Sequence, residues 1–164
     1  MNSEHLSMWY DAYNAPLRLY ARHWLGDEDS RDAVQTAFVR LMGQALAPRD
    51  VQAWLFRTVR NDAITRLRRR ARRRNHYQQL SKQQQSWFES HPDDLIDARK
   101  AQETLCELPE AQREVVILRI WGQLSLKQIA KIVHSPLTTV HGRYKTALAA
   151  IKERMQQSCK TTTK

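Results

Sequence analysis

The sequence contains few of the residues that break helices or cross-link a chain. Of its 164 residues, only four are glycine, five are proline and two are cysteine. This shortage of turn-forming residues, together with long segments of 3.6-residue periodicity, favours an all-helical protein. Cys106 and Cys159 lack the further partners that a thiolate metal site needs, so we interpret both as incidental thiols.

A membrane span and a secretion signal are also missing. No apolar run reaches the roughly 20 residues that a transmembrane helix needs, and the first residues show no basic segment followed by an apolar core. We therefore expect a soluble, cytoplasmic protein without a membrane partner. The six histidines are scattered without ligand spacing, and no phosphate-binding loop or nucleophile motif occurs. No metal, cofactor or enzymatic activity is expected.

Positive charge is what the sequence has in excess. The formal net charge is +10 and the pI is about 10.1, which predicts a polyanionic partner. Seven of the nine residues from Arg66 to Arg74 are arginine, directly after an apolar helical pattern. Arginine is a good helix former, so the run is predicted to extend that helix and to contact phosphates. The alternative is a solvated or disordered basic arm.

Near the C-terminus, the pattern predicts two helices joined by a sharp turn. Ser125 and Gln128 have the spacing of a capping box, and Ser135 followed by Pro136 predicts the start of the second helix. That helix has an apolar stripe formed by Val140, Tyr144, Ala147, Leu148, Ile151 and Met155. Its other face carries Thr138, Thr139, His141, Arg143, Lys145 and Thr146. The arrangement is typical of a helix-turn-helix, although helical corners also occur in proteins that do not bind DNA.

The periodicity divides the chain into two small helical domains. Residues 1–74 contain three predicted helices, with apolar positions at Leu17, Tyr20, Ala21 and Trp24, at Val34, Ala37, Phe38 and Leu41, and at Val51, Leu55 and Val59. Residues 75–94 are predicted to be a glutamine-rich linker, residues 95–157 the helix-turn-helix domain, and residues 158–164 a polar tail. In the second domain, Ala111, Val115 and Leu118 are predicted to face the core, with Val116 and Ile120 beside them.

Four segments, in this order and spacing, carry a family resemblance. Asp32, Val34, Gln35 and Phe38 fall on a D-x-V-Q-x-x-F pattern; the others are QAWLFRTVRNDAITRLRRRARRR at 52–74, LPEAQREVVILR at 108–119 and the segment 124–144. The chain resembles bacterial sigma factors of the extracytoplasmic-function group in the sigma-70 family, the small type with only the second and fourth conserved regions. It departs from the common pattern at Thr65, where aspartate is usual, and in the sequence TTVHGR at 138–143.

The resemblance implies three sets of contacts. Core RNA polymerase would bind Asp32, Val34, Gln35, Phe38 and Leu41, although Phe38 could equally belong to the domain core. The minus-ten promoter element would meet the 44–50 loop and Arg57, Arg60, Asn61, Arg66, Arg68, Arg69 and Arg70. The minus-thirty-five element would meet Ser135, Thr138, Thr139, His141, Arg143 and Lys145. Trp54 is interpreted as a core residue, and an anti-sigma factor is a further possible partner.

Two other functions remain open from the residues alone. A stand-alone helix-turn-helix regulator would bind duplex DNA by itself, usually as a dimer. An RNA-binding protein would depend on the arginine run rather than on the C-terminal domain. The expected function is that of a sigma factor, which binds core RNA polymerase and directs it to promoters for transcription initiation.

Overall fold

The computed structural model describes residues 3–74 and 104–161, and within these ranges the regular structure is helical without strands. The helices are α1 (Ser3–Arg22), α2 (Asp27–Met42), α3 (Val51–Arg74), α4 (Glu110–Ile120), α5 (Leu126–Val133) and α6 (Leu137–Thr161). The chain divides into two compact units, Met1–Gln85 and Ser86–Lys164. The predicted linker, 75–94, lies outside the described residues, as does the side chain of Met155.

None of the helices described here is both long enough and apolar enough to cross a bilayer.

In the N-terminal unit, α1, α2 and α3 pack against one another around the predicted apolar positions. Tyr20 on α1 and Phe56 on α3 are fully buried, with ring centroids 5.5 Å apart. The buried side chains are Leu17, Tyr20 and Ala21 from α1; Ala33, Val34, Ala37, Phe38 and Leu41 from α2; and Leu55, Phe56, Val59 and Ala63 from α3. The stripes read from the sequence therefore form this core, as burial of one apolar face per helix requires.

The first helix begins well before its predicted apolar positions, Leu17 to Trp24, and ends at Arg22, before the last of them. It begins at Ser3 and continues through Pro16, although proline has no N–H to donate to the preceding turn. The added turns bring Tyr10 against Phe38 of α2, with ring centroids 5.0 Å apart, so tertiary packing supports a segment that the core stripe did not include. Trp24 lies beyond the helix end and is half-buried against Leu25 and neighbouring side chains.

The C-terminal unit packs α4, α5 and α6 around aliphatic side chains. Val115, Val116, Ile117 and Leu118 of α4, Ile129 and Ile132 of α5, and Val140 and Ala147 of α6 are buried. Ala111, predicted to face the core, is half-buried, and two residues of the predicted apolar stripes are exposed. Ile120 is 46% exposed because it ends α4, and Leu148 is 39% exposed because it lies about 100° around α6 from the buried Ala147.

The turn between α5 and α6 is fixed by backbone contacts. The capping box is confirmed: the Gln128 amide donates to Ser125 Oγ at 3.2 Å, and the Ser125 amide donates to Gln128 Oε1 at 2.8 Å. His134 adopts the left-handed conformation, φ 52° and ψ 47°, and the Ser135 amide donates to Ala130 O at 3.1 Å. These bonds close α5 and turn the chain sharply into α6.

Gly122, before α5, is required by close packing. A Cβ atom there would lie 2.5 Å from the carbonyl oxygen of Leu118, closer than side-chain carbons approach backbone atoms. The chain can therefore turn back directly after α4 only with glycine at this position.

Candidate nucleic-acid and polymerase interfaces

The arginine run is helical, as predicted, and α3 continues through it to Arg74. Arg57, Asn61 and Arg68 are exposed at positions i, i+4 and i+11, and Arg72 follows at i+15. At 3.6 residues per turn, these side chains lie along one face of α3. We call Arg57, Asn61, Arg68 and Arg72 the open face of α3. Four positively charged or hydrogen-bonding groups in a row can follow a phosphate backbone.

Two of the predicted DNA contacts point elsewhere. Arg66 donates from Nε to Asp62 Oδ2 at 2.6 Å, and its Nη1 lies 3.4 Å from Asp29 Oδ1 and 3.9 Å from Asp32 Oδ2. Arg70 pairs with the same Asp29 carboxylate. Because Asp29 and Asp32 belong to α2, these arginines join α3 to α2 instead of extending the open face.

The ionic contacts also affect the pKa of Arg66. Desolvation lowers the pKa of this guanidinium, but the hydrogen bond with Asp62 and the charges of Asp29 and Asp32 outweigh it, so the pKa is raised. The acidic cluster thus stabilises the charge that it neutralises.

The remaining minus-ten candidates divide by exposure. Arg69 is exposed, whereas Arg60 is half-buried and takes part in interactions within the chain. The 44–50 loop is almost entirely exposed, and Leu46 within it is 85% exposed. Trp54 is half-buried rather than a core residue. Leu46 thus lies in the exposed loop and Trp54 in the first turn of α3, and a partly exposed aromatic face can hold an unstacked base.

On α2, the predicted polymerase contacts separate into core and surface. Val34, Phe38 and Leu41 are buried within the N-terminal unit, so they pack α2 against the core of that unit. Asp32 and Gln35 are exposed, with the Asp32 side chain at 60%. The packing of α1 decides this division, because it covers the Phe38 ring.

Sequence reasoning missed two exposed apolar residues on α2. Val39 and Met42 are 59% and 57% exposed. They border an open groove of about 810 Å³ between α1 and α2, whose lining includes Leu6, Tyr10 and Gln35. The signal in the sequence was that both are apolar residues off the buried stripe, four and seven residues after Gln35, and a search for core positions alone does not select them. Exposed apolar side chains next to a groove are typical of a protein-docking surface.

The exposed face of α6 is formed by residues that were predicted from sequence. Thr138 and Lys145 are exposed on either side of Gly142, with Thr139 and His141 beside them. A Cβ atom added at Gly142 would meet nothing within 4 Å, so no packing within the described residues requires glycine there.

Ser135 and Arg143 form a contact of their own at the base of α6. Arg143 is half-buried, and its Nη1 donates to Ser135 Oγ at 3.3 Å. The helix begins at Leu137, one residue later than expected, and Ser135 Oγ donates to Val133 O at 3.5 Å. Ser135 therefore hydrogen-bonds to the turn and to Arg143, and it does not start the helix as its position before Pro136 had predicted.

Lys127 and Lys131 on α5 add exposed positive charge next to this turn. Sequence reasoning did not select them, although the first helix of a helix-turn-helix commonly crosses the DNA backbone. The spacing i, i+4 places both on one face of α5.

Comparison with known proteins identifies both units. The Sigma-70 region 2 family matches residues 9–73, and the Sigma-70, region 4 family matches residues 98–151. No curated protein sequence matches the chain.

Two solved structures share the fold. One is the sigma factor RpoE in complex with the anti-sigma factor NepR from Bartonella quintana: 20% identity, TM-score 0.74, covering 94% of this chain and 98% of that one. The other is CnrH in complex with the cytosolic domain of CnrY: 23% identity, TM-score 0.63, covering 95% of this chain and 90% of that one. With regions 2 and 4 matched in order, the chain belongs to the sigma-70 family and has the two-region organisation of its extracytoplasmic-function group.

Proposed function

We propose that this protein initiates transcription by three separate contacts: α2 with core RNA polymerase, α3 with the minus-ten element and α6 with the minus-thirty-five element. The observation that carries the proposal is that each family-matched unit presents one exposed polar or basic helix face, on α3 and on α6. The protein contributes binding energy rather than a catalytic step, and it acts in the cytoplasm, where polymerase and promoter meet.

The minus-ten contact is assigned to the open face of α3 and to the 44–50 loop. Arg57, Arg68 and Arg72 would neutralise phosphates, and Asn61 would hydrogen-bond to the strand. Leu46 would pack against an unstacked base. Arg66 and Arg70, already paired with carboxylates of α2, are removed from the primary contacts.

The minus-thirty-five contact is assigned to the N-terminal turns of α6 in the major groove. Thr138, Thr139, His141 and Lys145 would meet base edges and phosphates, while Arg143 would be held by Ser135 at the edge of the groove. Lys127 and Lys131 would contact the flanking phosphates. Polar side chains on a helix that follows a tight turn are the arrangement that major-groove recognition requires.

The polymerase contact is assigned to the exposed surface of α2 and the adjoining groove. Asp32 and Gln35 would provide polar contacts, and Val39 and Met42 apolar ones. Val34, Phe38 and Leu41 would act indirectly, by keeping α2 rigid. Exposed apolar area surrounded by polar groups supports a specific protein interface.

An anti-sigma factor is proposed as a second protein partner. One similar structure is a sigma factor in complex with the anti-sigma factor NepR, and the other is CnrH in complex with the cytosolic domain of CnrY. A partner that covered Val39 and Met42 would compete directly with the polymerase for this chain.

A reconstituted transcription assay tests the function. The purified chain is mixed with candidate promoters, with and without core polymerase, and transcript start sites are sequenced. A sigma factor gives promoter-specific transcripts only with the core. A stand-alone regulator would instead retard the same DNA without polymerase, and that outcome would overturn the proposal.

A further inference from the structure

One carboxylate in the N-terminal unit forms ion pairs with two arginines of α3. Asp29 pairs with both Arg66 and Arg70, which are one helical turn apart on α3. Asp29 lies in the first turn of α2, where the helix dipole favours negative charge. Asp62 holds Arg66 from the other side, so the pair of guanidinium groups is directed towards α2.

The ion pair between Arg70 and Asp29 is exposed enough for another anion to replace Asp29. Water screens an exposed ion pair, so such a pair is weak, whereas removing one partner of a buried pair leaves the other charge uncompensated. The side chains of Arg66 and Asp29 are 25% and 28% exposed, whereas that of Arg70 is 51% exposed. Arg70 is thus bound by Asp29 but remains within reach of solvent and of a competing anion.

A phosphate group can replace the carboxylate of Asp29 as the partner of Arg70. Both present anionic oxygens to the planar fork of N–H donors of the guanidinium. Sequence-independent DNA binding increases with every phosphate that a protein neutralises. When an arginine is already paired with a carboxylate of the chain, its contact with a phosphate releases fewer counterions from the DNA, because the charge of the arginine is already compensated.

We propose that Asp29 is a specificity-determining residue: it occupies Arg66 and Arg70 in place of phosphate and so lowers the affinity of the free chain for non-promoter DNA. The inference rests on the proposed function, since it takes α3 as a DNA-facing helix. Beyond that function, an acidic residue of the neighbouring helix α2 would keep two arginines of the run from binding phosphate.

The first test measures binding of the full-length chain to a random-sequence DNA duplex over a salt series. Asp29→Asn should tighten binding about 3- to 10-fold at low salt and steepen the logarithmic salt dependence by about one phosphate contact. Glu28→Gln is the matched control, since Glu28 is an exposed neighbour without an arginine partner among the described side chains. It changes the net charge equally without releasing Arg66 or Arg70. Equal effects of the two variants would overturn the inference.

A second test leaves Asp29 in place. In the otherwise unchanged chain, Arg68→Ala should reduce the salt dependence by about one contact, and Arg70→Ala by clearly less, because a phosphate must displace Asp29 from Arg70 but displaces no carboxylate among the described side chains from Arg68. In the Asp29→Asn background, Arg70→Ala should have as large an effect as Arg68→Ala. Equal losses from the two arginines in the original chain would refute masking, even if Asp29→Asn did not fold.

Transcription from a cognate promoter with core polymerase separates this inference from the proposed function. If the unsubstituted chain gives no promoter-dependent transcript, the proposed function fails. If it does, and Asp29→Asn binds random DNA no more tightly than Glu28→Gln, only the role of Asp29 fails.

Discussion

The two helices proposed to bind DNA, α3 and α6, are held in different ways. On α3, part of the positive charge is neutralised by carboxylates of α2, through Arg66 and Arg70. On α6, Lys145 has no carboxylate partner among the side chains described in its unit, and the helix is anchored by the apolar Val140 and Ala147. The net charge of a helix therefore differs from the charge that is free to bind an anion. The packing of α3 against its unit should depend more on salt than the packing of α6, because ion pairs contribute to it.

The largest expected effect comes from the aliphatic core of the C-terminal unit. Leu118→Ala removes a fully buried side chain in the last turn of α4 and should lower the free energy of unfolding of this unit by about 2–5 kcal/mol. Hydrogen exchange should show lost protection within 104–161 and unchanged protection in α3. Equal loss in both units would break the comparison, because it would mean that they unfold together.

The next effect concerns promoter recognition by α6. Arg143→Ala should weaken binding to the minus-thirty-five element by about 1–3 kcal/mol while sparing core-polymerase binding, because it removes a charged donor beside the groove. Lys145→Ala should also weaken this binding, because Lys145 lies on the exposed face of α6. The exposed Lys152 lies two turns further along α6, so Lys152→Ala is the control. Unchanged promoter-dependent transcription with Arg143→Ala would contradict this assignment of the helix.

A third prediction concerns the ion pairs that join α3 to α2. Arg66→Ala leaves Asp62 and Asp29 without their shared cation and should destabilise the N-terminal unit by about 1–2 kcal/mol at low ionic strength. The loss should shrink in 1 M salt, where the Debye length is about 3 Å. Chemical denaturation with urea at two salt concentrations measures it. A salt-independent loss would indicate that packing of the arginine stem, not charge, joins α3 to α2.

A fourth prediction sets stability against binding on α6. Gly142→Ala should raise the free energy of unfolding by up to about 1 kcal/mol, because alanine is the better helix former and the added methyl meets only open space. If the helix backbone approaches DNA at this point, the same methyl should weaken promoter binding. Thermal unfolding and a promoter-binding titration distinguish the two effects. Lower stability would show that the glycine has a role inside the unit.

The smallest expected effect is a pH dependence of the N-terminal unit. The hydrogen bond from Arg22 lowers the pKa of Asp27 below its ordinary value of 3.8, aided by the charges of Arg31 and Arg18 and against the effect of desolvation. Because the folded pKa is depressed, the stabilisation is present above the ordinary pKa and is lost as the pH falls through the lowered one. Acid unfolding followed by circular dichroism should therefore be less pH-dependent in Asp27→Asn. Identical acid transitions would contradict the pairing.

Periodicity was sufficient to predict the helices and most of the core. The stripes through Val34, Ala37 and Leu41 and through Val115 and Leu118 are buried, as alternation between apolar and polar faces requires. The capping box at Ser125 was predictable because its side-chain and backbone partners are three residues apart.

The partners of the charged residues could not be predicted in this way. A run of arginines reads as one basic segment, yet Arg68 is exposed while Arg66 is paired across to α2. Which side of α3 meets α2 is decided by tertiary packing, and the periodicity of a single helix does not contain that information. For the same reason, the sequence could not predict that Phe38 is buried while the next residue, Val39, is exposed.

The contacts of Arg154 set a practical limit on how short a C-terminal fragment can be. Its guanidinium donates to the carbonyl oxygen of Thr104 at 3.2 Å and pairs with Glu107 at 2.8 Å, so it ties the late part of α6 to the start of the described unit. The family match ends at residue 151. A fragment cut at that boundary for crystallisation or DNA titration would lose this clamp, whereas one that begins before 104 and ends after 154 would keep it.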